Sequence, residues 1–166
     1  GTHMTNMAFE LAFRDKGVPF FRADVGDRNV IRVMKERGWL LGGEGSGHIL
    51  NLKKTNTGDG LITALQILEI IDREKKSLAE IGNAVSKYPQ ILKNIRCRDP
   101  ESLLADHTFC TEIRSCAERL DEKGRILVRK SGTEPLVRVM VEGQDRLEIE
   151  SIGGHLESVA VSIRQF

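Results

Sequence analysis

Apolar residues recur along this chain at two periods, and the switches between them mark its elements. Met7 and Leu11, then Phe9 and Phe13, stand four apart and predict a helix over 5–17 that stops at Gly17. Val18-Pro19-Phe20-Phe21 reads as a strand. Val25-Gly26-Asp27-Arg28 reads as a loop, with Asp27 as N-cap of a helix running to Gly38. Trp39-Leu40-Leu41 and Ile49-Leu50-Asn51-Leu52 are two short strands. Thr57-Gly58-Asp59-Gly60 opens a helix with Ile62, Leu65, Leu68 and Ile71 on one face. Ser77-Leu78-Ala79-Glu80 is a capping box for a helix to about Lys87. Tyr88-Pro89 breaks the pattern. Beyond it come a strand over 90–97, a charged segment over 96–102 with Pro100, and a helix over 104–120. Glu122-Lys123-Gly124 is a turn, and two strands flanking residues 129–134 follow it. A last helix over 144–164 is weakened at Gly153-Gly154.

This order gives an α/β portion over 1–87 and a small α+β domain over 88–166, an antiparallel sheet packed by helices, with Tyr88-Pro89 as hinge. No internal repeat or low-complexity segment interrupts it. The start, Gly1-Thr2-His3-Met4, resembles a tag remnant as well as a native sequence, and neither it nor His3 is given a role.

Composition narrows the function classes. With 40% hydrophobic and 30% charged residues, the 166-residue chain reads as soluble and globular. A net charge of +1 supplies no global attraction to nucleic acid or to an anionic membrane, so any anion site must come from local clustering. No stretch has the apolar length of a membrane span, and no secretory signal is visible. Cys97, Cys110 and Cys116 are odd in number and lack a C-x-x-C spacing, which suits a reducing, cytoplasmic setting. Cys116, in a helix-like segment, reads as packing.

Local clustering occurs at Arg129-Lys130-Ser131-Gly132-Thr133-Glu134-Pro135-Leu136-Val137-Arg138. The run Ile126-Leu127-Val128 enters this loop, and Val137, Val139 and Val141 leave it at alternate positions. Guanidinium groups match phosphate oxygens in pairs. Ser131 and Thr133 add hydroxyl donors, and Gly132 lets successive N–H groups turn toward one anion. Ser131-x-x-Glu134 also fits a capping box, but Pro135 and the period-two pattern after it argue for a strand. A plain basic hairpin turn is the alternative. The second polar loop, Gly43-Glu44-Gly45-Ser46-Gly47-His48, sets three polar side chains among small residues. A carboxylate accepting two hydrogen bonds suits vicinal sugar hydroxyls. Its alternative is a glycine-rich hairpin with a surface glutamate.

Together with Thr57-Gly58-Asp59-Gly60-Leu61, and with Val139-Met140-Val141-Glu142-Gly143 extending the first motif, these loops resemble the α-D-phosphohexomutases in motif order, from about Thr5 onward. Loop details are closest to the branch acting on glucosamine phosphates. That family is built as four domains around a cleft, and this chain resembles the later part of the third and the whole fourth. The resemblance implies that Glu44 and Ser46 contact sugar hydroxyls and that His48 is a candidate proton shuttle. It implies that Arg129, Ser131, Gly132, Thr133 and Arg138 hold the phosphate that is not transferred.

The family transfers phosphate through a phosphoserine in a Ser-His-Asn-Pro context and binds Mg²⁺ through Asp-Gly-Asp-x-Asp-Arg; neither is present here. Asp59 alone does not build a Mg²⁺ site and reads as a helix cap. The resemblance therefore implies a fragment of an intramolecular phosphotransferase, inactive alone. Its full-length form would use Mg²⁺ and a sugar bisphosphate, and its partners would be a phosphorylated hexosamine and the missing N-terminal domains of the same polypeptide. The alternatives are a mutase for glucose or mannose phosphates, or a non-catalytic phosphosugar-binding module.

Overall fold

A strand needs a neighbour, and that requirement reshapes the N-terminal part of the chain. This computed structural model describes residues 1–163. They fall into two units, Gly1–Lys87 and the residues from Tyr88 onward. In the first, Val18-Pro19-Phe20-Phe21 forms no strand, contrary to its apolar pattern. Pro19 has no N–H to give a ladder, and pairing begins only beyond it. Ala23 bridges Thr2 in parallel, with Ala23 N–H donating to Gly1 O and His3 N–H to Ala23 O, both at 2.9 Å. The tag-like start is therefore structural: Thr2 is buried, and the Gly1 amine donates to Phe21 O at 2.9 Å.

Helix α1 (Met7–Asp15) is capped by the Asn6 side chain, which accepts from Ala8 N–H. Helix α2 (Asp27–Arg37) begins one residue earlier than expected: Gly26 is its N-cap and Asp27 its first residue. Gly38 ends it in the left-handed region at φ 66°, as only glycine does without strain. Strands β1 (Leu41–Gly43) and β2 (Ile49–Asn51) pair antiparallel, Gly43 opposite Ile49. Val30 and Met34 of α2 pack with Ala23 and Leu50 into a small core. Gly42 makes that approach possible, since a Cβ there would lie 2.5 Å from Met34 Sδ and 2.8 Å from Val30 Cγ1.

Helix α3 (Gly60–Glu74) starts at Asp59, whose Oδ1 accepts from Ile62 N–H at 2.9 Å. Its expected apolar face is only partly buried: Ile62 and Ile71 are half-buried, whereas Leu65 is 67% exposed and Leu68 59%, and Leu61 beside them 81%. Ile67 and Ile70 are half-buried as well. Helix α4 (Leu78–Gly82) has the expected capping box, Ser77 with Glu80. It ends at Gly82-Asn83 instead of Lys87, because both residues are poor helix formers.

In the second unit, strand β3 (Gln90–Arg96) leads into two helices where one was expected. Asp99 caps α5 (Pro100–Ala105), with Pro100 at its first turn, and Asp106 caps α6 (His107–Leu120) through Phe109 N–H. Proline here starts a helix because a first-turn N–H has no partner to lose. Strands β4 (Gly124–Lys130) and β5 (Leu136–Gly143) form a hairpin, and the sheet order is β3-β5-β4, all antiparallel. Helix α7 (Arg146–Ile163) closes the unit; residue 164, to which the helix was expected to run, lies outside the described residues. Val137, Val139 and Val141 of β5 pack with Phe109, Leu120, Ile149, Ile152 and Leu156 in one core, so α6 and α7 cover one face of the sheet. Gly153 fits α7 to β3, since a Cβ there would run into the Ile91 side chain.

Gly124 meets backbone rather than a side-chain tip: a Cβ there would lie 2.5 Å from Glu142 O and 3.0 Å from Gly143 Cα. Gly124→Ala is expected to destabilise the second unit by about 1–3 kcal/mol, the cost of an unrelieved overpacking. Amide exchange along β5 should speed up accordingly. Gly132→Ala, whose Cβ would meet nothing within 4 Å, serves as the comparison. Unchanged β5 exchange in Gly124→Ala would refute the assignment.

Candidate functional site

The loop between β1 and β2 is closed by its own backbone. Glu44 N–H donates to His48 O at 3.0 Å and Gly47 N–H to Glu44 O at 3.1 Å, with Gly47 at φ 100°. Gly43 must lack a side chain, because a Cβ would lie 2.9 Å from His48 O. This turn gathers Glu44, Ser46 and His48 at one point. Glu44 Oε1 accepts from Ser46 Oγ at 2.9 Å and from His48 Nδ1 at 3.0 Å, and Ser46 Oγ lies 3.2 Å from Nδ1. Glu44 Oε2 accepts from Gly26 N–H at 3.1 Å, at the start of α2, where a carboxylate also meets the positive end of the helix dipole. The Glu44 side chain is 10% exposed and that of His48 53%.

Two chemical consequences follow. The Glu44 carboxyl is held below its ordinary value of 4.5, first by the His48 hydrogen bond, then by Ser46, with the Gly26 N–H adding to them against burial. Because a carboxylate only accepts, His48 donates through Nδ1, and the neutral ring then presents Nε2 as a free acceptor. Glu44 was expected to face a ligand as an open bidentate acceptor. Instead, Oε1 is already shared by Ser46 and His48, and the carboxylate orients the imidazole. Gly26 is the contributor that the sequence pattern missed; a backbone donor leaves no side-chain signature to find. Behind the loop, Gly58 lies beside His48 and Leu50, so the Thr57-Gly58-Asp59-Gly60 segment backs the site.

In the second unit the hairpin register sets Arg129 directly opposite Arg138. Both side chains fall on the face of the sheet away from α6 and α7, since Val137 and Val139 face the helices. Lys130 alternates to the other face and pairs with Glu101 of α5. Arg138 Nη2 reaches Glu134 Oε2 at 3.5 Å, and its Nε is buried without a hydrogen-bond partner. Among the described residues, Arg129 makes no ion pair or side-chain hydrogen bond. Ser131 is nearly buried, while Gly132 and Thr133 are exposed.

The expected row of N–H groups over 131–133 is only partly free. Ser131 N–H donates to Leu136 O at 2.9 Å to close the hairpin, and Thr133 N–H approaches Ser131 Oγ at 3.5 Å. Gly132 is not at positive φ, so the turn does not require glycine. An anion here would be held by side chains, with the Gly132 N–H as the free backbone donor. No group of three or more His, Cys, Asp or Glu that could hold a metal occurs among the described residues, and Asp59 is engaged as the α3 cap. Among those residues, no helix is long and apolar enough to cross a membrane.

Comparison with known proteins accounts for both units. The family model described as "Phosphoglucomutase/phosphomannomutase, alpha/beta/alpha domain III" matches residues 1–88, and the one described as "Phosphoglucomutase/phosphomannomutase, C-terminal domain" matches residues 90–154. The chain is similar to a phosphoglucosamine mutase of Hydrogenovibrio crunogenus, 46% identical over 151 residues, covering 91% of this chain and 34% of that one. It is 47% identical over 164 residues to a phosphoglucosamine mutase of Polaromonas, covering 99% of this chain and 36% of the relative. It thus spans about a third of the length of the curated relatives it matches. The fold is similar to that of N-acetylphosphoglucosamine mutase from Aspergillus fumigatus, TM-score 0.83 at 16% identity, covering 98% of this chain and 38% of that chain. Another structure of that enzyme holds GlcNAc-6P and magnesium, TM-score 0.78 at 17% identity, covering 96% of this chain and 40% of that one.

The Glu44 contacts set a pH dependence. A depressed carboxyl stabilises the loop fully above its ordinary value of 4.5, and that contribution is lost as pH falls through Glu44's own lower value. Carbon-13 NMR of the Glu44 carboxyl is expected to titrate below 4.5, and His48→Ala, which removes the largest contributor, should move it upward. A Glu44 midpoint unaffected by His48→Ala would show that the ring does not hold the carboxylate.

Proposed function

The chain belongs to the phosphoglucomutase/phosphomannomutase family, and from that premise we propose that it serves a phosphoglucosamine mutase, interconverting glucosamine 6-phosphate and glucosamine 1-phosphate. The observation that carries this reading is the Glu44–Ser46–His48 cluster: a carboxylate fixing an imidazole, with a hydroxyl beside them. A mutase must take a proton from the attacking sugar hydroxyl and return one to the departing oxygen. His48 Nε2 is the group able to do both, because Glu44 fixes the ring through Nδ1. Ser46 and the remaining lone pair of Glu44 Oε2 read sugar hydroxyls. The identities of 46% and 47% to phosphoglucosamine mutases favour the amino-sugar branch over glucose or mannose phosphates.

The second unit takes the phosphate that stays in place. Arg129 and Arg138 supply charge, Ser131 and Thr133 hydroxyls, and Gly132 room for close approach. Because a mutase substrate presents its phosphate at either end, a grip built on charge suits both forms.

The transferred phosphate belongs to a phosphoserine, and Mg²⁺ would neutralise charge during transfer; the described residues fit neither group, since no Ser-His-Asn-Pro context or metal-ligand set is present. Those parts, a sugar bisphosphate and a cytoplasmic setting belong to this proposal for the whole protein.

Two measurements test it. The chain alone, given glucosamine 6-phosphate, Mg²⁺ and a bisphosphate activator, is expected to stay at background in a coupled assay; turnover would place a reaction centre within these residues. The chain should nonetheless bind inorganic phosphate weakly, with NMR shifts at 129–133 and 138 that shrink as salt screens the exposed charges. Arg129→Ala is expected to abolish those shifts and Lys130→Ala, held by Glu101 on the other face, to leave most of them. Shifts elsewhere, or none, would remove the phosphate role from this loop.

A further inference from the structure

We infer that Arg96, at the end of β3, is a third arginine of the phosphate site in the second unit; this rests on the phosphate reading of the 129–138 loop. In the β3–β5 register, Asn94 lies opposite Arg138 and Arg96 opposite Leu136, while the β4–β5 register sets Arg129 opposite Arg138. Side chains of directly paired residues share a face. Asn94, Arg138 and Arg129 therefore form one row across the sheet, and Arg96 stands diagonal to Arg138, about 7–8 Å away by strand geometry and within reach of a long side chain. Burial agrees: along β3, Leu92, Asn94 and Arg96 are exposed, whereas Ile91, Lys93 and Ile95 turn toward the helices.

The end of β3 is also tied to the loop itself. Cys97 N–H donates to Pro135 O at 3.0 Å, fixing the residue after Arg96 against the Ser131–Pro135 turn. Arg96 is thus held at the loop end of the open face, beside the residues proposed to take phosphate.

The charge arrangement needs a counterpart. Like charges directly opposite on a sheet are destabilising, yet Arg129 and Arg138 are opposite and Arg96 is diagonal to Arg138. Glu134 approaches only Arg138, at 3.5 Å, and Arg138 Nε is buried without a partner. Among the described residues, Arg96 and Arg129 make no ion pair. The far end of the same face contrasts: there Glu142 is buried and paired with Arg125. One end of the sheet is neutralised within the chain and the other is left cationic. A phosphate monoester, a dianion once its second proton leaves near pH 6, supplies the missing charge. Three guanidinium groups then favour the dianion over the monoanion.

The test is phosphate titration of the whole chain, followed by NMR at residues 129–133 and 138. Arg96→Ala is expected to raise the apparent Kd for inorganic phosphate about tenfold, the effect of one hydrogen bond to a charged group, and Arg96→Lys to recover part of it. The loss should shrink at high salt and be largest above pH 7. Arg114→Ala, an exposed charge on α6, removes the same net charge from the helical side and is expected to leave Kd unchanged. Since Arg96 is exposed and contributes no core contact, its variants should keep the unfolding midpoint, which separates lost binding from lost structure. If Arg129→Ala abolishes binding while Arg96→Ala matches the unsubstituted chain, or if Arg114→Ala has the same effect as Arg96→Ala, the role of Arg96 is refuted and the loop reading stands. If the unsubstituted chain does not bind phosphate, the loop reading fails and Arg96 with it.

Discussion

A β-strand has two faces, and the second unit depends on β5 using both. Val137, Val139 and Val141 point one way, into the core closed by α6 and α7. Arg138 points the other way, level with Arg129 on β4. A slip of one residue would exchange the two sets and turn arginine toward the helices. The register is held by apolar burial, of the valines against α6 and α7 and of Leu136 and Met140 beside Arg138. The placement of guanidinium groups on the other side follows from that register. Gly124 and Gly143 allow the strand ends to come close, and Ser131 N–H spends its hydrogen bond on closing the hairpin.

The first unit works by a different constraint, a single carboxylate that several donors share. Glu44 meets a hydroxyl, an imidazole and a backbone N–H at once, and each partner comes from a separate stretch of backbone conformation: the turn, the start of β2 and the start of α2. Gly42 and Gly43 are the steric conditions for that meeting, one letting α2 approach and the other letting the loop close. The core beneath is small, so the geometry of the site rests as much on these hydrogen bonds as on packing.

Elements whose evidence is local were legible in the amino-acid order. The hairpin around 129–138 announces itself by alternation, and the Asp59 and Ser77 caps by their side chains. That Glu44, Ser46 and His48 meet follows from their two-residue spacing across glycines. What they touch beyond each other does not, because the Gly26 N–H belongs to no side-chain pattern. Residues 18–21 look like a strand by composition, but strand formation depends on a partner elsewhere in the chain, and only Ala23 finds one, in Thr2. The charged segment over 96–102 gave no helical period, and the helix that Pro100 opens there rests on its Asp99 cap, since proline at a first turn has no N–H partner to lose. The basic row across the second sheet was half visible. Arg129 and Arg138 sit in one motif, but their neighbours across β3 are set by register, which sequence spacing does not contain.

The leucines of α3 carry a thermodynamic consequence. Leu61, Leu65 and Leu68 lie open to water on a helix whose isoleucines are half-buried. A molecule that covered them would bind the folded unit and find no comparable site on the unfolded chain. By mass action, each tenfold rise in the concentration of such a cover, above its dissociation constant, adds about 1.4 kcal/mol to the apparent stability of the first unit. The melting temperature of that unit would then follow the concentration of such a cover.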